Sequence, residues 1–226
     1  MLWTKNSTDT DRKTLSSEEL MGRIAQGDEH AFEILVHRHQ RRILNLIYRF
    51  IGDRIQAEDV AQEVFLRVWR AAKDYEPNAK FTTWVYSITA NLCRDALKSA
   101  YHKQAFVHRN DNGDSLDENN ECLSFSSSTP SPEDILISAE GSSRILTALQ
   151  DLPTNQRLAL ILKKFDGLSY NEIARILGCS IPAVESLLFR AKKNLREKLL
   201  SDGLLQVEDP TYISDFSLNP ETSRSC

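Results

Sequence analysis

Apolar residues recur along most of this chain at intervals of three and four, the spacing that gathers them on one face of an α-helix. The most regular run spans residues 57–72, where Ala57, Val60, Ala61, Val64, Phe65, Val68, Trp69 and Ala72 form an unbroken stripe. Before it, Ala31, Phe32, Leu35, Val36, Ile43, Leu46, Ile47 and Phe50 predict a long amphipathic helix between Asp28 and Gly52. A short helix should open at Ser16, where Glu19 completes a capping box, and close at Gly27. Past a polar loop over residues 73–81, Val85, Ile88, Leu92 and Ala96 mark one side of a further helix. Thr83, Tyr86, Ser87, Asn91, Arg94 and Lys98 mark its other side. No alternation of period two interrupts the series, so the fold class is all-α.

The pattern lapses between residues 103 and 132, a stretch rich in Asp, Glu, Asn and Ser, which reads as a flexible acidic linker. It splits the chain into a helical domain over 16–102 and a second over 133–200, with a loose start at 1–15 and an acidic tail over 201–226. In the second domain Leu149, Leu152 and Pro153 precede a helix carrying Leu158, Ile161, Leu162 and Phe165, which Gly167 closes.

Then comes a tightly punctuated segment. Ser169 and Glu172 form another capping box, Ile173, Ala174, Ile176 and Leu177 supply an apolar face, and Gly178 stands where a helix ends in a left-handed residue. Ser180 caps the next helix, and Pro182 is tolerated in its first turn. This is the layout of a helix-turn-helix. Val184, Leu187, Leu188, Ala191, Leu195 and Leu199 face inward. Glu185, Ser186, Phe189, Arg190, Lys193 and Arg196 lie where a recognition helix meets the major groove. A helical hairpin with a solvated basic face would satisfy the same pattern.

Charge sharpens the picture only when it is resolved along the chain. A net charge of -4 suits no nucleic-acid binder, yet Arg144, Arg157, Lys163, Lys164, Arg175, Arg190, Lys192, Lys193, Arg196 and Lys198 make the second domain basic. Cys93, Cys122, Cys179 and Cys226 show no metal or redox spacing, which argues for reduced thiols in a cytosol. His37 and His39, two apart on a helix, point different ways and make a poor metal pair. The first thirteen residues lack an apolar signal core, and no run approaches membrane-spanning length, so a cytoplasmic protein is expected. Around residues 73–94 aromatic, amide and basic groups sit together, the set that single-stranded bases need for stacking, edge recognition and phosphate contact. Phe81 and Trp84 could equally be core.

Taken in order, AEDVAQEVFLRVW, FTTWVYSITANLCRD and LPTNQRLALILKKFDGLSYNEIARILGCSIPAVESLLFRAKKNLR resemble regions two and four of bacterial sigma-70 family factors, in particular the compact extracytoplasmic-function group. The resemblance implies a subunit that binds core RNA polymerase, recognises −35 and −10 promoter elements and promotes opening. Polymerase would be gripped by Asp59, Gln62, Glu63, Leu66 and Arg67. The −10 element would fall to Asp74, Tyr75, Asn78 and Lys80 around an extruded base, with Asn91 hydrogen-bonding it and Phe81, Tyr86 and Arg94 supporting the strand. The −35 element would be read by Glu185, Ser186, Phe189, Arg190 and Lys193. Glu185 departs from many relatives, which place a base there and another near Leu187.

The same resemblance implies an anti-sigma partner covering both domains, a linker directed toward the polymerase active-site channel, and no cofactor. Two other classes compete. A stand-alone helix-turn-helix regulator with a sensing or dimerising first domain leaves the motifs at 57–94 unexplained. An enzyme would need a phosphate loop, metal set or activated nucleophile, and none is legible.

Overall fold

The computed structural model describes residues 14–107 and 144–203, so the expectations for the loose start, most of the acidic linker, Cys122, Cys226 and the acidic tail lie outside the described residues. Among the described residues the regular structure is helical throughout. Helix α1 (Ser17–Ile24) opens on the capping box of Ser16 and Glu19. Helices α2 (Glu29–Ile51) and α3 (Arg54–Ala71) start on Asp28 and Asp53, whose carboxylates accept from the backbone N–H groups of Ala31 and Gln56. A single 3-10 turn (Ala72–Asp74) leads through a loop into α4 (Phe81–Val107).

Helix α4 runs five residues beyond the boundary at 102, because no glycine or proline interrupts 81–107 and the acidic composition begins only later. The glutamate of α1 one position after its first residue accounts for the other end. Glu18 accepts from the Phe81 N–H at 2.7 Å, so one helix caps another.

The second half contains a helical stretch at 144–150, here α5, followed by α6 (Thr154–Lys164), α7 (Tyr170–Leu177) and α8 (Ile181–Ser201). Ser169 caps α7 with the reciprocal Glu172 contact, and Gly178 ends it at φ 66°, a conformation that costs a Cβ-bearing residue about 1 kcal/mol or more. Ser180 then caps α8 with Pro182 in the first turn. The start of α7, its stop and the start of α8 are thus each set by the residue at that helix end.

The core of the first half gathers Leu35, Ile43, Leu46, Ile47 and Phe50 of α2 with Val64, Phe65 and Val68 of α3 and Val85 of α4. His39 lies among them, its Nε2 2.8 Å from the Ser17 hydroxyl. Burial, helped by Arg38 and Arg42, pulls its imidazole down to about 4, so it is a neutral structural residue. His37 is exposed.

That core does not stop at the first half. Leu158, Ile161, Leu162, Ile173 and Ile176 belong to the same continuous cluster. Helix α6 packs on α2, and α7 on α4. At the junction Arg157 is only 5% exposed. Its Nη1 donates to the Phe50 carbonyl at 2.6 Å, and its Nη2 donates to Leu152 at 3.1 Å and to the Gln150 carbonyl. One guanidinium therefore serves terminal carbonyls of two helices, α2 from the first half and α5 from the second, where the helix dipole also favours a cation. Gly52 completes the joint. Its φ of 87° ends α2, and a Cβ there would collide with the Gln150 side chain.

Candidate functional site

Three polar surfaces remain once the core is subtracted. The first is the outer face of α3. Asp59, Gln62, Leu66 and Arg67 are exposed and Glu63 is half-buried. Arg67 Nε donates to Glu63 Oε1 at 2.9 Å, one turn away, which holds both side chains flat along the helix. Ile55, which the sequence reading passed over, is 75% exposed one turn before Asp59 on this same face. With Leu66 at 48% it adds two exposed apolar side chains to the polar face. The available signal was an isoleucine out of phase with the buried stripe.

The second surface is the 72–81 loop with α4. Asp74, Asn78 and Lys80 are exposed, and the Asn78 amide donates to Glu76 Oε2 at 3.1 Å. Beneath them the aromatics hold one another. Tyr75 meets Trp84 edge-on with centroids 4.9 Å apart, and Phe81 lies 5.8 Å from Trp84 and 4.9 Å from His39. Phe81 is 1% exposed, so it is a floor beneath the loop and offers no open face. Asn91 is exposed one helical turn before Asp95, and its Oδ1 accepts from Arg94 Nη1 at 2.9 Å.

Tyr86 takes a different position from its neighbours. It is 4% exposed, and its hydroxyl donates to Asp166 Oδ1 of the second half at 2.9 Å. Burial, then the Asp166 charge and hydrogen bond, push the phenol well above its ordinary range. Asp166 is itself raised by burial, against the opposing pull of Tyr86, Arg49 and Arg42. Arg94 Nε reaches Asn155 Oδ1 at 3.3 Å, and Lys80 Nζ lies 3.3 Å from Glu172 Oε1. Three of the residues grouped by sequence on this surface therefore contact the second half.

The third surface is the outer face of α8. Glu185, Phe189, Arg190 and Lys193 are exposed and Ser186 is half-buried, while Val184, Leu188 and Ala191 hold the opposite face in the core. Phe189, at 63%, is a large apolar side chain presented to solvent among charges. Lys193 Nζ stands 3.9 Å from Glu197, an exposed pair of little energetic weight. Behind it Lys192 is held below its usual range by burial and by its neighbours Lys164 and Lys163, which marks this end of the domain as strongly positive.

Comparison with known proteins decides the family. Residues 35–102 match Sigma-70 region 2, and residues 142–195 match Sigma-70 region 4. The chain is 34% identical over 185 residues to the RNA polymerase sigma-H factor of Pseudomonas aeruginosa, covering 80% of this chain and 93% of that one. It is 31% identical over 188 residues to the ECF RNA polymerase sigma-E factor of Escherichia coli K12, covering 82% and 95%. The chain belongs to the sigma-70 family, in its extracytoplasmic-function group.

Solved structures agree. CnrH in complex with the cytosolic domain of CnrY superposes with a TM-score of 0.59 at 25% identity, over 82% of this chain and 98% of that one. The sigma factor RpoE of Bartonella quintana, in complex with the anti-sigma factor NepR, gives 0.55 at 21% over 76% and 98%, a likeness of fold. This chain is accordingly a transcription-initiation factor, and the stand-alone regulator reading falls away. Among the described residues no helix is long and apolar enough to cross a membrane.

Proposed function

We propose that this sigma factor uses its three surfaces in series on a cytoplasmic core RNA polymerase. The outer face of α3 docks on the polymerase through Asp59, Gln62, Glu63, Leu66 and Arg67, with Ile55 extending the contact by one turn. The 72–81 loop and α4 take the −10 strand: Asp74, Tyr75, Asn78 and Lys80 surround an extruded base and Asn91 hydrogen-bonds it. Phe81, Tyr86 and Arg94 back that site from beneath and beside it. Base flipping costs a few kcal/mol of unstacking, and a rim of polar groups over an aromatic floor is suited to offset it. The exposed face of α8 reads the −35 duplex: Arg190 is able to bond guanine at O6 and N7, and Glu185 to accept from the cytosine amino group.

The observation carrying this reading is the α3 face, where charged and apolar side chains stay exposed on a helix whose other side is core. One structural neighbour is a complex with the cytosolic domain of CnrY and another a complex with a protein named an anti-sigma factor, and an anti-sigma partner for this chain fits that company.

Replacing Gln62 and Glu63 together by Ala tests the docking face. Core polymerase affinity should fall about tenfold, as expected if the pair holds one of the few residues that dominate an interface, with helical circular dichroism unchanged. Unchanged polymerase affinity would remove α3 as the docking helix.

A further inference from the structure

Helix α8 is held in two different ways along its length. Its first half rests on the main core, where Val184 and Leu188 share a cluster with Ile173 and Ile176 of α7. Beyond Leu188 it meets α5, α6 and the turn between them through a small separate cluster, Leu149, Leu152, Leu160 and Ala191, with Leu195 packed against it. Beside that cluster Asn194 Nδ2 donates to Gln156 Oε1 at 2.9 Å, and both side chains are half-buried. Gln156 is the third residue of α6. Further on, Lys198 Nζ lies 3.0 Å from Asp151 Oδ2, a solvent-exposed pair that contributes little.

Successive helical residues are about 100° apart, so Asn194 sits one turn after Arg190 and about 40° round from it, toward Ala191. Packing on the Ala191 methyl and the flank of Leu195 is non-directional and tolerates a small rotation of the helix. A hydrogen bond between two amides does not, because its length varies over only about half an ångström. A rotation of ~20° would carry a side-chain atom about 5 Å from the helix axis through roughly 2 Å. That is more than a bidentate contact to guanine O6 and N7 survives. The amide pair thus fixes the edge of α8 from which Arg190 projects. A hydrogen-bonded polar pair beside an apolar contact is the kind of feature that sets register.

We propose that Asn194, held by Gln156, is a positioning residue for base recognition. It sets the rotation of α8 about its own axis, and so the base pair that Arg190 meets, while touching no base itself. The proposal deepens the reading of α8 as the −35 helix and rests on it. Both partners belong to the second half, so contacts with the first half do not enter.

The test uses the full chain. Short duplexes enriched from a randomised library on the parent protein supply its preferred sequence, and a scrambled duplex of the same composition supplies the reference. Fluorescence anisotropy gives both affinities, and their ratio is the specificity. Asn194→Ala and Gln156→Ala should each lower that ratio about tenfold, the scale of discrimination that one bidentate base contact supplies. Binding to the scrambled duplex and its salt dependence should be unchanged, because no phosphate contact is lost. The exchange of Gln156→Asn with Asn194→Gln keeps an amide at both positions and should return the ratio to within about twofold of the parent. In an Arg190→Ala background, Asn194→Ala should cost no further specificity, since the two act as one unit.

Equal loss of affinity for both duplexes, or an effect of Asn194→Ala that Gln156→Ala does not share, would make Asn194 a direct DNA contact and overturn the proposal. So would costs that add to those of Arg190→Ala. A ratio unchanged in both variants while the denaturation midpoint falls would reduce the pair to a structural contact. Arg190→Ala separates the two levels of the argument. If it leaves the ratio intact, or if the parent chain enriches no sequence, the −35 reading fails and the positioning role fails with it. If it lowers the ratio and the amide variants do not, only the positioning role fails. Should Asn194→Ala lose helical circular dichroism, Gln156→Ala on the other helix carries the test.

Discussion

The two surfaces proposed to read DNA are built on opposite terms. Helix α8 spends its inner face on the core and leaves Glu185, Phe189, Arg190 and Lys193 in solvent. Helix α4 is engaged from two sides: Val85 and Leu92 are buried within its own half and Tyr86 is buried by the other, while Asn91 stays in solvent. A recognition helix that meets an intact major groove requires no rearrangement of itself. A surface for an unpaired strand becomes useful only after the duplex opens. The comparison thus separates a surface that is always available from one that depends on the seam.

The largest effect should come from the residue that joins the two halves. Arg157 donates to carbonyls at the ends of helices from both, and removing it strands those acceptors at a buried position. Arg157→Ala should destabilise the chain by about 3 kcal/mol or more in chemical denaturation, since hydrogen bonds to a charged group are worth roughly 1.5–3 kcal/mol each. Arg157→Lys should recover only part, because an ammonium lacks the planar fork that spans three carbonyls. Full recovery by lysine would mean that the seam needs only a charge there, and the division between the two surfaces would be looser than drawn.

A middle-sized effect tests the independence of α8. Arg190→Ala should cost roughly 1–3 kcal/mol of promoter-duplex binding. The cost should be the same in the parent chain and in Asp166→Arg, because sites without shared partners add to within about 0.5 kcal/mol. A larger coupling in filter-binding or footprinting assays would show that the Tyr86–Asp166 seam reaches the recognition helix after all.

How much of this was legible beforehand follows from distance along the chain. The capping boxes at Ser16 and Ser169, the left-handed Gly52 and Gly178, and the inward faces of α2, α3 and α8 depend on residues a turn or two apart, and each stands where periodicity puts it. Tyr86 and Asp166 are 80 positions apart, and Arg157 and Phe50 are 107 apart. No local pattern pairs such residues. Arg157 did carry a hint, since it lies three and four residues before Leu160 and Ile161 and so shares their buried face. In composition it counted only as one more base. Tyr86 and Phe81 were grouped with polar neighbours by helical phase, and phase cannot tell solvent from a second domain.

The smallest effect bears most directly on that distinction. Asn91 is exposed, and its Oδ1 is engaged by Arg94, which in turn reaches Asn155 across the seam. A base entering the site competes with that internal partner, so the net gain from Asn91 is the difference between two hydrogen bonds, about 1 kcal/mol. Asn91→Ala should therefore slow open-complex formation by about fivefold, close to 1 kcal/mol, measured by permanganate reactivity of unpaired thymines. Binding of the closed promoter duplex should be unchanged. Equal losses in duplex binding and opening would instead place Asn91 on the phosphate backbone, and α4 would then read DNA in the same way as α8.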